Sequence, residues 1–190
     1  MPGLYQPSAG DVLTAANAIG YWSKQVVIQA ASGTRPASPV EGMVIYETDT
    51  DALVIYNGAA WVQLTPEAAN VATSQTTTST SYTDLATSGP AVTIQTGTKA
   101  FVTVSAHVNN SLQYGQGFVS FAVSGATTLA AADDVAFAAA TPLANIPNQA
   151  SRVSYLSALT AGSNVFTVKY RVVSGTGTFI YRYIIVEPIP

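Results

Sequence analysis

Apolar and polar positions alternate along much of this chain, and the period of that alternation changes twice. Near the N-terminus, Leu13, Ala16, Ile19, Trp22 and Val26 recur every three or four residues, with Thr14 suited to cap a helix. The spacing predicts a short helix, weakened by Gly20, that gives way to a β-branched run at Val26, Val27 and Ile28. From Met43 the period falls to two. Residues 43–48, 52–56 and 61–64 read as three antiparallel strands, joined by an Asp49-Thr50-Asp51 turn and an Asn57-Gly58 turn. The preceding TRPASPVEG, with Pro36 and Pro39, reads as a stiff extended lead.

Beyond residue 67, strand patterns recur with Gly, Asn or Ser between them. Val102, Val104, Ala106 and Val108 alternate with Phe101, Thr103, Ser105 and His107. Phe166, Val168, Tyr170 and Val172 alternate in the same way, and Phe179, Tyr181, Tyr183 and Ile185 alternate with Ile180, Arg182, Ile184 and Val186. About eight such strands predict a sandwich or jelly roll. The Ala-rich stretch 126–150, with Pro142 and Pro147, reads as a surface excursion, 73–81 as linker or edge strand, and 174–178 as a hairpin turn. The expected fold is therefore mainly β: a short N-terminal helix, a three-stranded β-meander and a C-terminal antiparallel β-sandwich. The expected divisions are 1–31, 32–66 and 67–190.

Composition changes the picture through charge. Only 9% of the 190 residues are Asp, Glu, Lys or Arg, while 48% are hydrophobic, against a usual charged share of about 25%. No apolar run approaches the ~18 residues of a membrane helix, so no membrane insertion is expected. The net charge of −3 and the lack of a basic stripe argue against a nucleic-acid partner. A surface so poor in charge points to cover by partners. No secretory signal is visible at the N-terminus.

Candidate chemistry is sparse. There is no cysteine and a single histidine, His107, which lies in a strand pattern with no nucleophile elbow near it. Glu47, Asp49 and Asp51 cluster at a hairpin tip, where a carboxylate pair or a weak Ca²⁺ site is conceivable and where turn formation is the simpler role. The chain is expected to be no enzyme and to hold no cofactor or metal. Tyr170, Tyr181 and Tyr183 belong to a core or a subunit interface, and Tyr114, in QYGQG, is the candidate for an exposed tip contact. Tyr46, Tyr56 and Trp61 are the candidate anchors of the hairpin module. Leu4, Tyr5, Leu13, Ile19, Trp22 and Val26 form the candidate docking face of residues 1–31, too short an element to bury that face alone.

The stretch TRPASPVEGMVIYETDTDALVIYNGAAW resembles a module that recurs in tail-associated and fibre-like proteins of tailed bacteriophages. The matching features are the TRP-x-SP-x-EG lead, the TDTD hairpin, and Tyr56, Gly58 and Trp61 at its close. SAGDVLTAANAIGYWSKQVVI is similar to the opening of small minor tail proteins of actinobacterial phages, although Ile19 stands where those commonly carry Asn. SYTDLATSGPAVTI and LTAGSNVFTVKYRVVSGTGTF are similar to their β domain. The resemblance implies a homotrimeric virion structural protein with a TNF-like or C1q-like jelly roll. It would be made in the host cytoplasm and partnered by other virion proteins of tail or capsid. The alternatives are a capsid decoration protein or head fibre and, in a different class, a module binding a host cell-surface carbohydrate or receptor.

Overall fold

A computed structural model describes residues 28–190. The expected N-terminal helix, and with it Leu4, Tyr5, Leu13, Ile19, Trp22 and Val26, lies outside the described residues.

The hairpin module is a sheet of four strands in the order β1-β2-β3-β4: β1 (Ile28–Ala30), β2 (Val44–Glu47), β3 (Ala52–Tyr56) and β4 (Trp61–Gln63). The last three form the expected meander, with Ile45 opposite Val54 and Tyr56 opposite Trp61. Asn57 closes the second turn, its side-chain oxygen accepting the Ala59 and Ala60 amides at 3.1 and 2.9 Å. A fourth strand lies beside that meander. β1, from the end of the expected docking segment, pairs in parallel with β2, Ile28 opposite Ile45 and Ala30 opposite Glu47. Parallel neighbours need a long crossover between them. The proline-bearing lead is that crossover: it starts and ends on one sheet and does not act as a spacer.

The remaining strands are β5 (Glu67–Val71), β6 (Gln75–Thr77), β7 (Ala91–Thr96), β8 (Lys99–Asn110), β9 (Gln116–Gly125), β10 (Phe137–Ala140), β11 (Asn148–Leu156), β12 (Gly162–Val172) and β13 (Gly177–Ile189). They form two sheets, β10-β9-β12-β7 and β11-β8-β13-β5, with β6 also paired to β13. From β7 to β13 every connection but β9–β10 passes from one sheet to the other, which makes this sandwich a jelly roll. Between the sheets lie Val102, Val104, Val119, Phe121, Phe166, Val168, Tyr170, Val172, Ile184 and Val186, all fully buried.

Three local readings change. The 174–178 stretch is not a hairpin, because β12 and β13 belong to different sheets; it is a corner. Gly177 is buried there, and a Cβ on it would stand 2.4 Å from Val172 Cγ1. The 126–150 stretch is not all excursion. Phe137 and Ala139 face the core from β10, in a run where alanines on both faces hide the period of two. In β13 the alternation breaks: Tyr181 takes φ 49° at a register shift between Ile180 and Tyr183. The extra residue flips the phase. Phe179 faces inward, then Arg182, Ile184 and Val186, leaving Tyr181, Tyr183 and Ile185 outside.

Arg182 is fully buried over the Tyr170 ring, 5.4 Å from its centroid. It donates to neutral oxygens: Gln75 Oε1 at 3.2 Å and the Thr87 and Gly89 carbonyls at 3.4 Å. It thus ties β13 to β6 and to the segment that leads into β7. The hairpin module sits at the β7–β8 end of the sandwich, where Val62 is buried and Gln63 Nε2 donates to Glu67 Oε1 at 2.8 Å.

Candidate self-association face

One face of the β11-β8-β13-β5 sheet is core; the other is exposed and mixes aromatic and branched side chains with small polar ones. Registers place its outward residues in rows. Tyr155, Phe101 and Glu187 form one row, and Val153, Thr103, Ile185 and Ala68 the next. Ser151, Ser105, Tyr183 and Asn70 form a third, and Gln149 and His107 a fourth, beside Tyr181. Phe101 and Tyr155 lie with ring centroids 5.3 Å apart, and His107 meets Tyr181 edge-on at the same distance. Val153, Tyr155, Tyr181, Tyr183 and Ile185 are each between 42% and 62% exposed. Within these rows Glu187 is the one charged side chain. An antiparallel sheet facing water on one side usually alternates hydrophobic-in with polar-out. Here six of the outward positions carry exposed large hydrophobic side chains, Phe101, Val153, Tyr155, Tyr181, Tyr183 and Ile185, between small polar ones, and such exposed apolar clusters with little charge are features of interfaces.

The sequence-based expectation for the tyrosines divides accordingly. Tyr170 is core, its hydroxyl donating to the Gly89 carbonyl at 2.8 Å, while Tyr181 and Tyr183 lie on this outer face. His107 is half-buried on the same face. The bulge that aims Tyr181 outward left no mark in the hydrophobic pattern, so the face was legible only once the registers were known.

The remaining candidate residues lie elsewhere. Trp61 is half-buried and packs on Tyr56, ring centroids 5.5 Å apart; Tyr46 projects from the opposite side of that sheet. The three hairpin-tip acids are each engaged. Glu47, 2% exposed, is paired with Arg35 Nε and accepts the Thr50 hydroxyl at 2.9 Å. Asp49 accepts the Ser32 amide at 2.8 Å and the Ser32 hydroxyl at 2.6 Å. Those bonds hold its carboxyl below the usual carboxylate range. Asp51 accepts the Tyr46 hydroxyl at 2.7 Å, which pushes the Tyr46 phenol up. Among the described residues no three His, Asp or Glu side chains converge, and no helix is long and apolar enough to cross a membrane. Tyr114 is 70% exposed, at φ 61°, on a loop at the pole opposite the hairpin module.

Fold and face together define a jelly-roll β protein that, among the described residues, leaves aromatic side chains exposed on its β11-β8-β13-β5 sheet. No protein-family model matches the chain, and no curated protein matches it. Among solved structures it is similar to Eiger TNF from S. frugiperda, at 13% identity and TM-score 0.45, over 66% of this chain and 93% of that one. It is also similar to the D431N mutant VP2 protein of infectious bursal disease virus in T=1 particles, at 11% identity and TM-score 0.46. That match covers 80% of this chain and 39% of VP2, so the chain spans about two fifths of the VP2 length. The strand order, not these likenesses, defines the fold.

Proposed function

We propose that this chain is a structural protein of a tailed-phage particle, minor-tail or fibre-like. In this reading it assembles as a homotrimer through the outer face of the β11-β8-β13-β5 sheet and docks on the particle through its N-terminal residues. The observation that carries the reading is that face: four strands wide, with Phe101, Val153, Tyr155, Tyr181, Tyr183 and Ile185 exposed on it and charge confined to one end, on Lys99 and Glu187. A chain with 9% charged residues gains solubility by closing such a surface in a symmetric oligomer. The TRP-x-SP-x-EG and TDTD motifs support the phage assignment by resemblance, and the polar groups of the hairpin tip are spent on local structure.

The test is Ile185→Arg, measured by sedimentation equilibrium beside the wild type. Ile185 is 43% exposed in the single chain, so the substitution should leave protomer stability within about 0.5 kcal/mol. Desolvating an unpaired guanidinium at the centre of an interface costs several kcal/mol, so association should weaken by at least about a hundredfold. A wild type that sediments as a monomer at micromolar concentration, or an Ile185→Arg protein with unchanged mass distribution, would overturn the proposal.

A further inference from the structure

The opposite sheet, β10-β9-β12-β7, carries a feature that self-association does not use. On its outer side a groove of about 710 Å³ runs between the 80–84 segment and residues 130–131. Its floor is Ala122 of β9 with Lys169 and Arg171 of β12, and Thr80, Ser81, Tyr82 and Thr83 line one wall. That wall is fixed to β12 by paired backbone bonds between Thr83 and Tyr170, both 3.0 Å. Beside the other wall, the Ser120 hydroxyl donates to the Ala132 carbonyl at 2.8 Å.

Charge is concentrated here. Residues 67–190 contain only ten Asp, Glu, Lys and Arg side chains, and four of them meet at this groove as two ion pairs. Lys169 Nζ lies 2.6 Å from Asp84 Oδ2. Arg171 is clamped by both Asp133 oxygens, at 3.0 and 2.7 Å, with its guanidinium 3.8 Å from the Phe118 ring centroid. The Tyr82 hydroxyl donates to the same Asp133 carboxylate at 2.7 Å. Arg171 and Asp133 therefore brace the groove, whereas Lys169 and Asp84 retain bonding capacity. An ammonium has three donors and Asp84 takes one; the Asp84 side chain is 41% exposed and accepts otherwise from Ser88 at 2.7 Å.

We propose that this groove binds a neutral saccharide. A donor and an acceptor fixed side by side, as Lys169 and Asp84 are, match the adjacent hydroxyls of a sugar ring. The two cations and two carboxylates cancel, so a phosphate or sulfate would meet Asp84 and an amine would meet Lys169. Ala122, Ala130 and Ala131 leave room for a pyranose whose apolar C–H face lies on Ala122, since the Arg171 guanidinium already stands over the Tyr82 ring, 5.4 Å from its centroid. The volume suits a short oligosaccharide.

The inference does not depend on the self-association reading, and its test uses the full chain in whatever oligomeric state it adopts. Saturation-transfer NMR and a glycan array would be run with neutral hexose and N-acetylhexosamine oligosaccharides, and with sialylated and sulfated ones as contrast. Binding of neutral probes that persists in high salt is expected. Asp84→Asn should weaken it by at least about tenfold, the worth of one charge-assisted hydrogen bond. Ala122→Trp should abolish it by filling the floor; Ala131→Trp, at the rim, serves if the former alters the fold, which melting curves check. No neutral probe bound at millimolar concentration, or neutral binding equal in all variants, would refute the proposal. Binding confined to sulfated or sialylated probes and lost in high salt would refute the neutral class.

Discussion

Arg35→Ala should loosen the hairpin module by more than removal of both partners of its ion pair. Glu47 is 2% exposed and its ionic partner, Arg35, is 19% exposed. Truncating Arg35 strands a buried carboxylate with only the Thr50 hydroxyl, at 2.9 Å, to bond it. Losing one member of a fully buried pair costs roughly 3–5 kcal/mol; with Arg35 partly in water, about 2–3 kcal/mol is expected here. Replacing both by apolar residues of similar volume, Arg35→Met with Glu47→Leu, removes the desolvation penalty with the pair and should cost about 1 kcal/mol or less. Amide hydrogen exchange reports on the module separately from the sandwich. For Val44–Glu47 and Ala52–Tyr56, the single variant should exchange roughly 30- to 150-fold faster and the double variant close to the wild type. The reasoning fails if Arg35→Ala leaves those amides as protected as before, or if the double variant loses as much as the two single variants added together. Either result would mean that Arg35 is a surface charge awaiting a partner and not the clamp on the crossover.

Gly177→Ala should destabilise the sandwich by about 1–3 kcal/mol, because the new methyl must displace buried Val172 or Phe179; an unchanged urea midpoint would contradict the corner packing. Acid should release the Ser32–Asp49 strap. The Asp49 carboxyl is held low by the Ser32 hydroxyl and amide, so its contribution is present above the unfolded carboxylate pKa of about 4 and lost as pH falls through the lower folded value. Exchange at the Ser32 amide should therefore rise on acidification from about pH 4 downward, after correction for intrinsic rates, and Asp49→Asn should flatten that profile.

How far the chain could be read in advance depended on whether a pattern was local. The alternations at 101–108 and 166–173 became β8 and β12 because a period of two reports a one-sided strand wherever side chains differ enough in polarity. In Phe137–Ala140 they do not differ, and β10 was hidden. Asp49-Thr50-Asp51 and Asn57-Gly58 were legible as turns because their side chains bond their own backbone or permit positive φ. The proline-rich lead was not legible as a crossover, since its two ends are brought together by a parallel pairing between Ile28–Ala30 and Val44–Glu47 that no local signal encodes.

The same division holds for function. Composition alone showed that 9% of the residues are charged and that the chain has one histidine and no cysteine, and so raised the expectation of association over side-chain catalysis. Which surface leaves aromatic and branched side chains exposed was decided by the tertiary structure. Tyr183 and Ile185 stand outside because the bulge at Tyr181 shifts the phase of β13, and Phe101 and Val153 join them only through the registers of β8 with β13 and β11. Likewise Asp84 and Lys169, distant in sequence, become neighbours only when the 80–84 segment lies along β12. Hydrophobic period is a property of neighbours along the chain; a face or a groove is a property of strands paired across it.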